Sequence, residues 1–426
     1  MTTQSRTLIL LAGLMAVAQL DRQILSLQLN AIGAEFDLSD TQLGLLSGLA
    51  FAVVFVLCGF PVARIAAAGN RRKLISIAAA VWSLMTMATA GAQSFAHLLL
   101  ARVGVAVGES GSVAPAHSVI SDHYPVDRRT TAMATFAAGA NLGVLFAFLI
   151  GGVIGQLYGW RTAFICAGVP GLILALVFWR YGPEDSDKRE TGWTGALMTE
   201  TWSAIRAHKG LWNAMWGMAA TGIVTFGALA WTPTFILRTH DLSQAQLGLF
   251  LALSVGVIGG IGTLLSGRLA DHLGRRAPVW RIGVVFWAII IAKPLALIFI
   301  LSPTPVIALT AFSASAFLAA VFWGPTFAYA HAQLPSHQRP MATAIFLFLF
   351  NLVGLGLGPT LVGAASDALA AQGFENSLAL ALVGMHCCGL WGALHYWRVT
   401  RIIKQGGYEQ SPGDGFQPGA APSKSS

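Results

Sequence analysis

The chain has 426 residues, of which 55% are hydrophobic and only 10% charged, with a mean hydropathy of +0.66. A chain this apolar has too little polar surface to meet water, so lipid must be its main solvent and a soluble enzyme is excluded. The formal charge of +8 would suit a nucleic-acid partner, but its distribution along the chain, given below, makes it a topology signal instead.

A bilayer crossing takes about 20 mainly apolar residues. Such stretches are expected at 8 to 31, 41 to 66, 74 to 93, 97 to 122, 130 to 156 and 161 to 181, then at 211 to 237, 245 to 270, 279 to 302, 304 to 333, 341 to 366 and 377 to 400. Span 1 runs past Asp21 and Arg22 without a small-residue cleavage pattern and leads into further spans. It is read as a membrane helix and not a removable signal. Cys58, Cys166, Cys387 and Cys388 all fall inside apolar spans with no spacing suited to disulfides or metal, so they are packing residues and no cofactor is expected.

Of the 26 Lys and Arg, Arg22, Arg102 and Lys293 lie deep inside spans and Arg161 and Arg238 fall in odd-numbered loops. The rest belong to even-numbered loops and the termini, which predicts both termini on the cytoplasmic side, in a bacterial inner membrane. The partners this implies are the lipid bilayer and no nucleic acid.

An internal repeat organises the spans. Asp37-Leu-Ser-Asp-Thr-Gln-Leu-Gly-Leu45 matches Asp241-Leu-Ser-Gln-Ala-Gln-Leu-Gly-Leu249 at an offset of 204, and at the same offset ARIAAAGNRR (63 to 72) lies on GRLADHLGRR (267 to 276). Further on the offset becomes 210, pairing Pro115 with Pro325, Arg129 with Arg339, Phe136 with Phe346 and Asn141 with Asn351. The expected fold is therefore an all-α membrane protein of twelve transmembrane helices in two parallel six-helix halves, with a cleft between them. The halves are 1–181 and 210–402, joined by a cytoplasmic linker at 182–209 and followed by a Gly/Pro/Ser-rich tail at 403–426, read as disordered. Trp193, Leu197, Trp202 and Ile205 fall loosely along one side of a linker helix suited to the membrane interface.

Charged residues inside a membrane are costly and need partners. Asp21 and Arg22 lie about halfway along span 1, while Arg102 and Glu109 are seven residues apart in span 4 and so share one helix face. A static ion cluster that only fixes packing is one reading. The other is that protonating a carboxylate, Glu109 first and Asp21 second, frees Arg22 or Arg102 to bind an anion. On the C-terminal side, His331, Tyr329, Trp231 and Phe327 are candidate substrate contacts, although a lone histidine or ring more often packs. Lys293 is expected to snorkel from a peripheral helix. Asn141 and Asn351 are candidates for hydrogen bonds between helices, and the glycines of spans 5 and 11 for close helix approach. Gly108-Glu-Ser-Gly111 has the GxSG form of an intramembrane serine protease, but a full-length twofold repeat does not suit one. Nor do the spans carry the rings of like polar residues that a channel needs.

GRLADHLGRR (267 to 276) resembles the loop signature of the major facilitator superfamily, and the resemblance covers nearly the whole chain. It implies a secondary transporter in which Asp271, Arg275 and Arg276, with Arg71 and Arg72 of the degenerate first copy, latch the cytoplasmic side. That first copy has Ala67 where the acid would stand. Asp21-Arg22-Gln23, LSDTQLGLLSGLAFA (38 to 52), RVGVAVGESG (102 to 111), PAHSVISD (115 to 122) and GWRTAF (159 to 164) together resemble the spinster-like branch. The superfamily resemblance implies that spans 1, 4, 7 and 10 line the cavity, and the narrower one implies a small amphiphile with an anionic head, such as a lysophospholipid or sphingoid phosphate, as substrate. The charge set adds the expectation of proton coupling, and a monomer is expected. A drug, a sugar or an organic acid is the alternative cargo.

Overall fold

The computed structural model describes residues 3–67, 69–183 and 195–406. The N-terminal half opens with α1 (Thr3–Phe36). The second crossing is α2 (Asp40–Ser47) continued by α3 (Leu49–Ala67), and the third is α4 (Arg71–Thr89). The fourth is α5 (Phe95–Ser110) continued by α6 (Val113–His123), and α7 (Val126–Tyr181) carries the fifth and sixth. Helix α8 (Gly195–Ala207) precedes α9 (Lys209–Thr239). Next come α10 (Gln244–Leu251) and α11 (Gly259–Arg276), which flank a π-helical turn, then α12 (Trp280–Leu301) and the pair α13 (Pro305–Ala319) and α14 (Trp323–Ala332). The last two crossings are α15 (Arg339–Leu349) with α16 (Gly356–Ala371), again around a π turn, and α17 (Ser377–Lys404).

All twelve expected spans are helical. Among the described residues, nine helices are long and apolar enough to cross a membrane by themselves. One of these, Thr131–Tyr181, has 51 residues, more than twice what a single crossing requires. Gly159, at φ 82, breaks it between the fifth and sixth expected spans. Only glycine takes that left-handed angle without strain. The third and fourth spans are helical but too short or too polar to qualify alone, and the polarity of the fourth comes partly from Arg102 and Glu109.

The sequence repeat reappears as local structure. Ser39 caps α2 and Ser243 caps α10, each by a capping box in which the serine accepts from the third backbone N–H and Gln42 or Gln246 reaches back. Each box satisfies donors that a helix start leaves open. The expected amphipathic linker helix is α8, with Ile205 fully buried and Trp202 exposed. Trp193, the charged run 184 to 190 and the tail beyond 406 lie outside the described residues.

Buried apolar side chains form separate clusters whose composition shows how the halves meet. At the end opposite the termini one cluster draws on both halves, joining Ile24, Leu43 and Phe148 to Trp231, Phe235, Leu251 and Val362. At the terminal end the clusters part. Leu11, Ile75, Trp82 and Phe178 belong to one, whereas Met215, Val285, Phe346 and Tyr396 belong to the other. Apolar packing thus joins the halves on one side, whereas on the other each half has its own cluster, with only Leu355 of the second half among the buried residues of the first.

Small residues make the seal possible. A Cβ on Gly44 of α2 would lie 2.5 Å from the Pro359 carbonyl of α16, and one on Gly248 of α10 would strike the Phe148 carbonyl of α7. Gly44 and Gly248 are repeat equivalents, so the same close approach occurs at both seams between the halves. The glycines of the fifth and eleventh spans do form thin faces: Gly139 and Gly143 press on α1, and Gly354 and Gly358 on α9. Asn351 donates to Leu347 O at 2.8 Å in its own chain segment, so its bond runs within a helix and not between helices as anticipated.

Candidate functional site

The intramembrane charges gather inside the N-terminal half. Arg22 Nε lies 2.5 Å from Glu109 Oε2 and donates to it, joining α1 to α5. The Arg22 guanidinium sits 4.8 Å and 4.9 Å from the ring centres of Phe51 and Phe55. Arg102 lies 4.4 Å from the same Phe51 ring. A cation over a ring face gains electrostatically where water is scarce. Phe51 therefore stabilises two like charges that would otherwise repel across α3.

Asp21 faces the other way, into the bundle. Thr86 of α4 donates to Asp21 Oδ2 at 3.0 Å. A narrow pocket lined by Asp21, Thr86, Thr89, Leu98, Arg102 and Phe164 lies beside it. Asp21 Oδ1, Arg102 Nε and Glu109 Oε1 are buried without a protein hydrogen bond. Buried polar atoms are nearly always satisfied, so such orphans on one cluster mark a place able to take a proton, a water or a polar ligand atom. Arg22 keeps the most contact with open space, at 17% side-chain exposure against 0% for Glu109.

The C-terminal candidates divide into two groups. Phe327 of α14 is half-buried in a run of rings, 5.9 Å from Trp323 and 6.2 Å from His331. His331 pairs with Thr343 Oγ1 at 2.7 Å, the packing role open to any lone histidine. Phe226 of α9 lies tilted 5.0 Å from Phe350 and packs against both terminal-end clusters, so the aromatic group borders the half that holds the charges. Tyr329 is buried with its hydroxyl at Gly210, near the start of α9. Trp231 is fully buried and donates from Nε1 to Pro359 O at 2.8 Å. The structure places Trp231 within the seal between the halves.

The latch candidates stand apart in this conformation. Asp271 is exposed and makes no hydrogen bond or ion pair among the described residues. Arg275 only approaches His272, at 3.5 Å, and Arg276 is exposed. In the first copy Arg71 is buried, donating to Ser118 Oγ at 2.5 Å and pairing with Asp122 at 2.6 Å. Arg72 donates to the Trp179 carbonyl. Ser118, Asp122 and Trp179 all belong to the first half. Ala67 lies within the helix, with its side chain outside the described residues. Lys293, expected to snorkel, ends instead against Gly389 of α17. Ser110 of the GxSG motif donates to the Val107 carbonyl of its own helix at 2.7 Å.

The sealed side carries a network that residue-by-residue reading missed. Arg238 donates from both terminal nitrogens to Asp40, at 3.0 Å and 2.8 Å, across the two halves. Ser366 donates to Asp40 Oδ2 at 2.6 Å, and the backbone N–H groups of Asp40 and Thr41 donate to Asp367 at 3.0 Å and 2.8 Å. The second seam is built alike but from neutral amides: Ala245 N donates to Gln156 Oε1 at 2.8 Å, and Gln244 to Gln28 Oε1 at 2.8 Å. The signal was the repeat itself. Asp40 and Gln244 occupy matching positions, and only one of them is charged. Nothing near Asp367 in sequence announces its role.

The profile of the Major Facilitator Superfamily matches residues 11–359. An MFS-type efflux pump of Mycolicibacterium smegmatis is 30% identical over 393 residues, covering 89% of each chain. A probable sphingolipid transporter, spinster homolog 2 of Arabidopsis thaliana, is 25% identical over 57% of this chain and 53% of its own. Among solved structures, a bacterial homolog of the human lysosomal transporter Spinster, inward-facing and unoccupied, superposes with TM-score 0.84 and 26% identity, covering 96% of this chain and 99% of that one.

Proposed function

The chain belongs to the major facilitator superfamily and is a membrane transporter, not an enzyme; from that premise we propose a proton-coupled carrier of an amphiphile with an anionic head. The observation that carries this reading is the Arg22–Glu109 pair inside the first half, where a fully buried carboxylate holds a cation that touches open space. A proton on Glu109 would weaken that bond and leave Arg22 free to meet a carboxylate or phosphate. Its neighbours suit the rest of an amphiphile: Phe51 and Phe55 beside the cation, and Phe226, Trp323 and Phe327 on the facing half.

The transport cycle follows from the two ends of the molecule. With both termini in the cytoplasm of a bacterial cell, the splayed end faces inward and the sealed end outward. Closing the inner side would bring Asp271, Arg275 and Arg276 toward the first half, and opening the outer side would part Asp40 from Arg238. The halves are taken as 1–181 and 210–402, each moving as a body, with a monomer as the working unit. The matched solved structure in its inward-facing form supports this assignment.

The relatives include an efflux pump and a probable sphingolipid transporter, and also a probable L-galactonate transporter of Escherichia coli, 24% identical over 291 residues. An organic-acid cargo is therefore the second reading, since Arg22 serves any carboxylate. The ring-lined facing half favours the amphiphile.

The test is reconstitution into liposomes with an imposed pH gradient and a panel of lysophospholipids and small organic acids. Glu109→Gln, once shown to be monodisperse, should still bind substrate and should lose the pH dependence of transport. Arg22→Ala should lose binding of anionic substrates. A well-folded Glu109→Gln protein whose transport still follows the gradient like the parent would refute Glu109 as the coupling group and turn attention to Asp21.

A further inference from the structure

Four tryptophans form a continuous ladder on the outer surface at the terminal end. Trp202 of α8 meets Trp212 of α9 at 5.9 Å, Trp212 meets Trp216 at 5.9 Å, and Trp216 stacks on Trp391 of α17 at 6.4 Å. A lone interfacial tryptophan is ordinary in a membrane protein. A ladder bridging a linker helix and two crossings is a built feature. His395 continues it 5.7 Å beyond Trp391 and is fixed by its bond to Asn213 Oδ1 at 2.8 Å.

Cations surround this ladder and pair with no acid among the described residues. Arg206 lies one turn after Trp202, Lys209 one turn before Trp212, and Arg398 one turn after His395 and within electrostatic reach of it. All of them are exposed, and none makes a side-chain hydrogen bond or ion pair among the described residues. Helices α9 and α17 contain no acidic residue, and Glu200 of α8 is engaged by Gln338 at 2.7 Å.

We propose that the seam of α8, α9 and α17 is a binding site for an anionic membrane phospholipid. The headgroup phosphate would lie among Arg206, Lys209 and Arg398 and an acyl chain along the ladder. Exposed Lys and Arg at a bilayer surface attract anionic headgroups, and flat indole faces present apolar area to a chain while their N–H groups stay at headgroup level. Because α8 links the two halves, a lipid held there would brace the linker against the C-terminal half. The site is separate from the central cluster and independent of what the cavity carries.

Native mass spectrometry of the full chain, released from mixed micelles with phosphatidylglycerol and phosphatidylcholine, tests this. The parent should retain phosphatidylglycerol in preference. The double variant Lys209→Ala with Arg398→Ala should lower that retention roughly tenfold to thirtyfold, at about a tenfold change per 1.4 kcal/mol and about 1 kcal/mol per surface cation. Trp212→Leu should weaken it as well. Arg401→Ala serves as the control: that exposed cation lies over Trp397, off the ladder. Each altered cation is exposed, so folding should survive, and monodispersity confirms it before binding is read. Equal retention of the two lipids would overturn the proposal. So would a loss with Arg401→Ala as large as with the double variant, which would show diffuse surface charge only.

Discussion

Asp40→Asn tests whether the charged seam holds the sealed side shut. The substitution keeps the shape of the side chain and its bond from Ser366, but removes the charge that draws both terminal nitrogens of Arg238. Hydrogen bonds to charged groups are worth about 1.5–3 kcal/mol when shielded. The Asp40 side chain is 10% exposed and that of Arg238 is 37% exposed, so solvent screens part of the interaction. About 1–2 kcal/mol should remain, which shifts the balance between sealed and open forms by roughly 5- to 30-fold. Pulsed electron–electron distance measurements between spin labels at Gly91 and Glu375, exposed positions in different halves, read the shift directly. The long-distance population should grow in Asp40→Asn and in Arg238→Gln, and the double variant should add little to either. Unchanged distance distributions in both single variants, or fully additive effects, would show that this ion pair does not contribute to the seal.

Gly44→Val and Gly248→Val should each open the same seal by collision with a facing carbonyl, at a cost of about 1–3 kcal/mol, seen as the same growth in long distances. Asp271→Asn should leave the stability of the present conformation unchanged, because Asp271 is exposed and makes no hydrogen bond or ion pair among the described residues. It should still deplete the opposite conformation modestly, about 0.2–1 kcal/mol, as read by labels on the terminal side. Arg71→Ala removes one partner of a buried pair with Asp122, so about 3–5 kcal/mol should be lost and the melting temperature in detergent should fall by several degrees. Glu35→Gln should cost far less, about 0.2–1 kcal/mol, since Glu35 and Arg161 are both well exposed although they bond at 2.6 Å.

The overall architecture was legible because its cause is local. Apolar length defines a crossing, Ser39 and Ser243 mark helix starts that form capping boxes, and an offset of 204 between copies shows that the second half repeats the first. The charge cluster was legible as well, since an intramembrane Asp, Arg or Glu must find a partner and few others were present. Which partner it found was a matter of tertiary geometry. Arg22 takes Glu109, while Asp21 turns to Thr86, a hydroxyl that carries no charge by which a sequence could reveal it. Aromatic residues were least legible. Burial separates Trp231, sealed behind Pro359, from Phe327, half-exposed in its ring stack, and the sequence pattern of a helix hydrophobic on every side does not show which face meets lipid, protein or cavity. The seal lay further out of reach. It depends on Asp40, Arg238, Ser366 and Asp367 meeting across two halves, and sequence separations of 198 to 327 residues leave no periodic trace. The chain by itself determined the helices, their repeat and the residues that could not remain unpaired. Only the packing of one half on the other decided which pairs formed, because side-chain partners are set by distance in space and not by spacing along the chain.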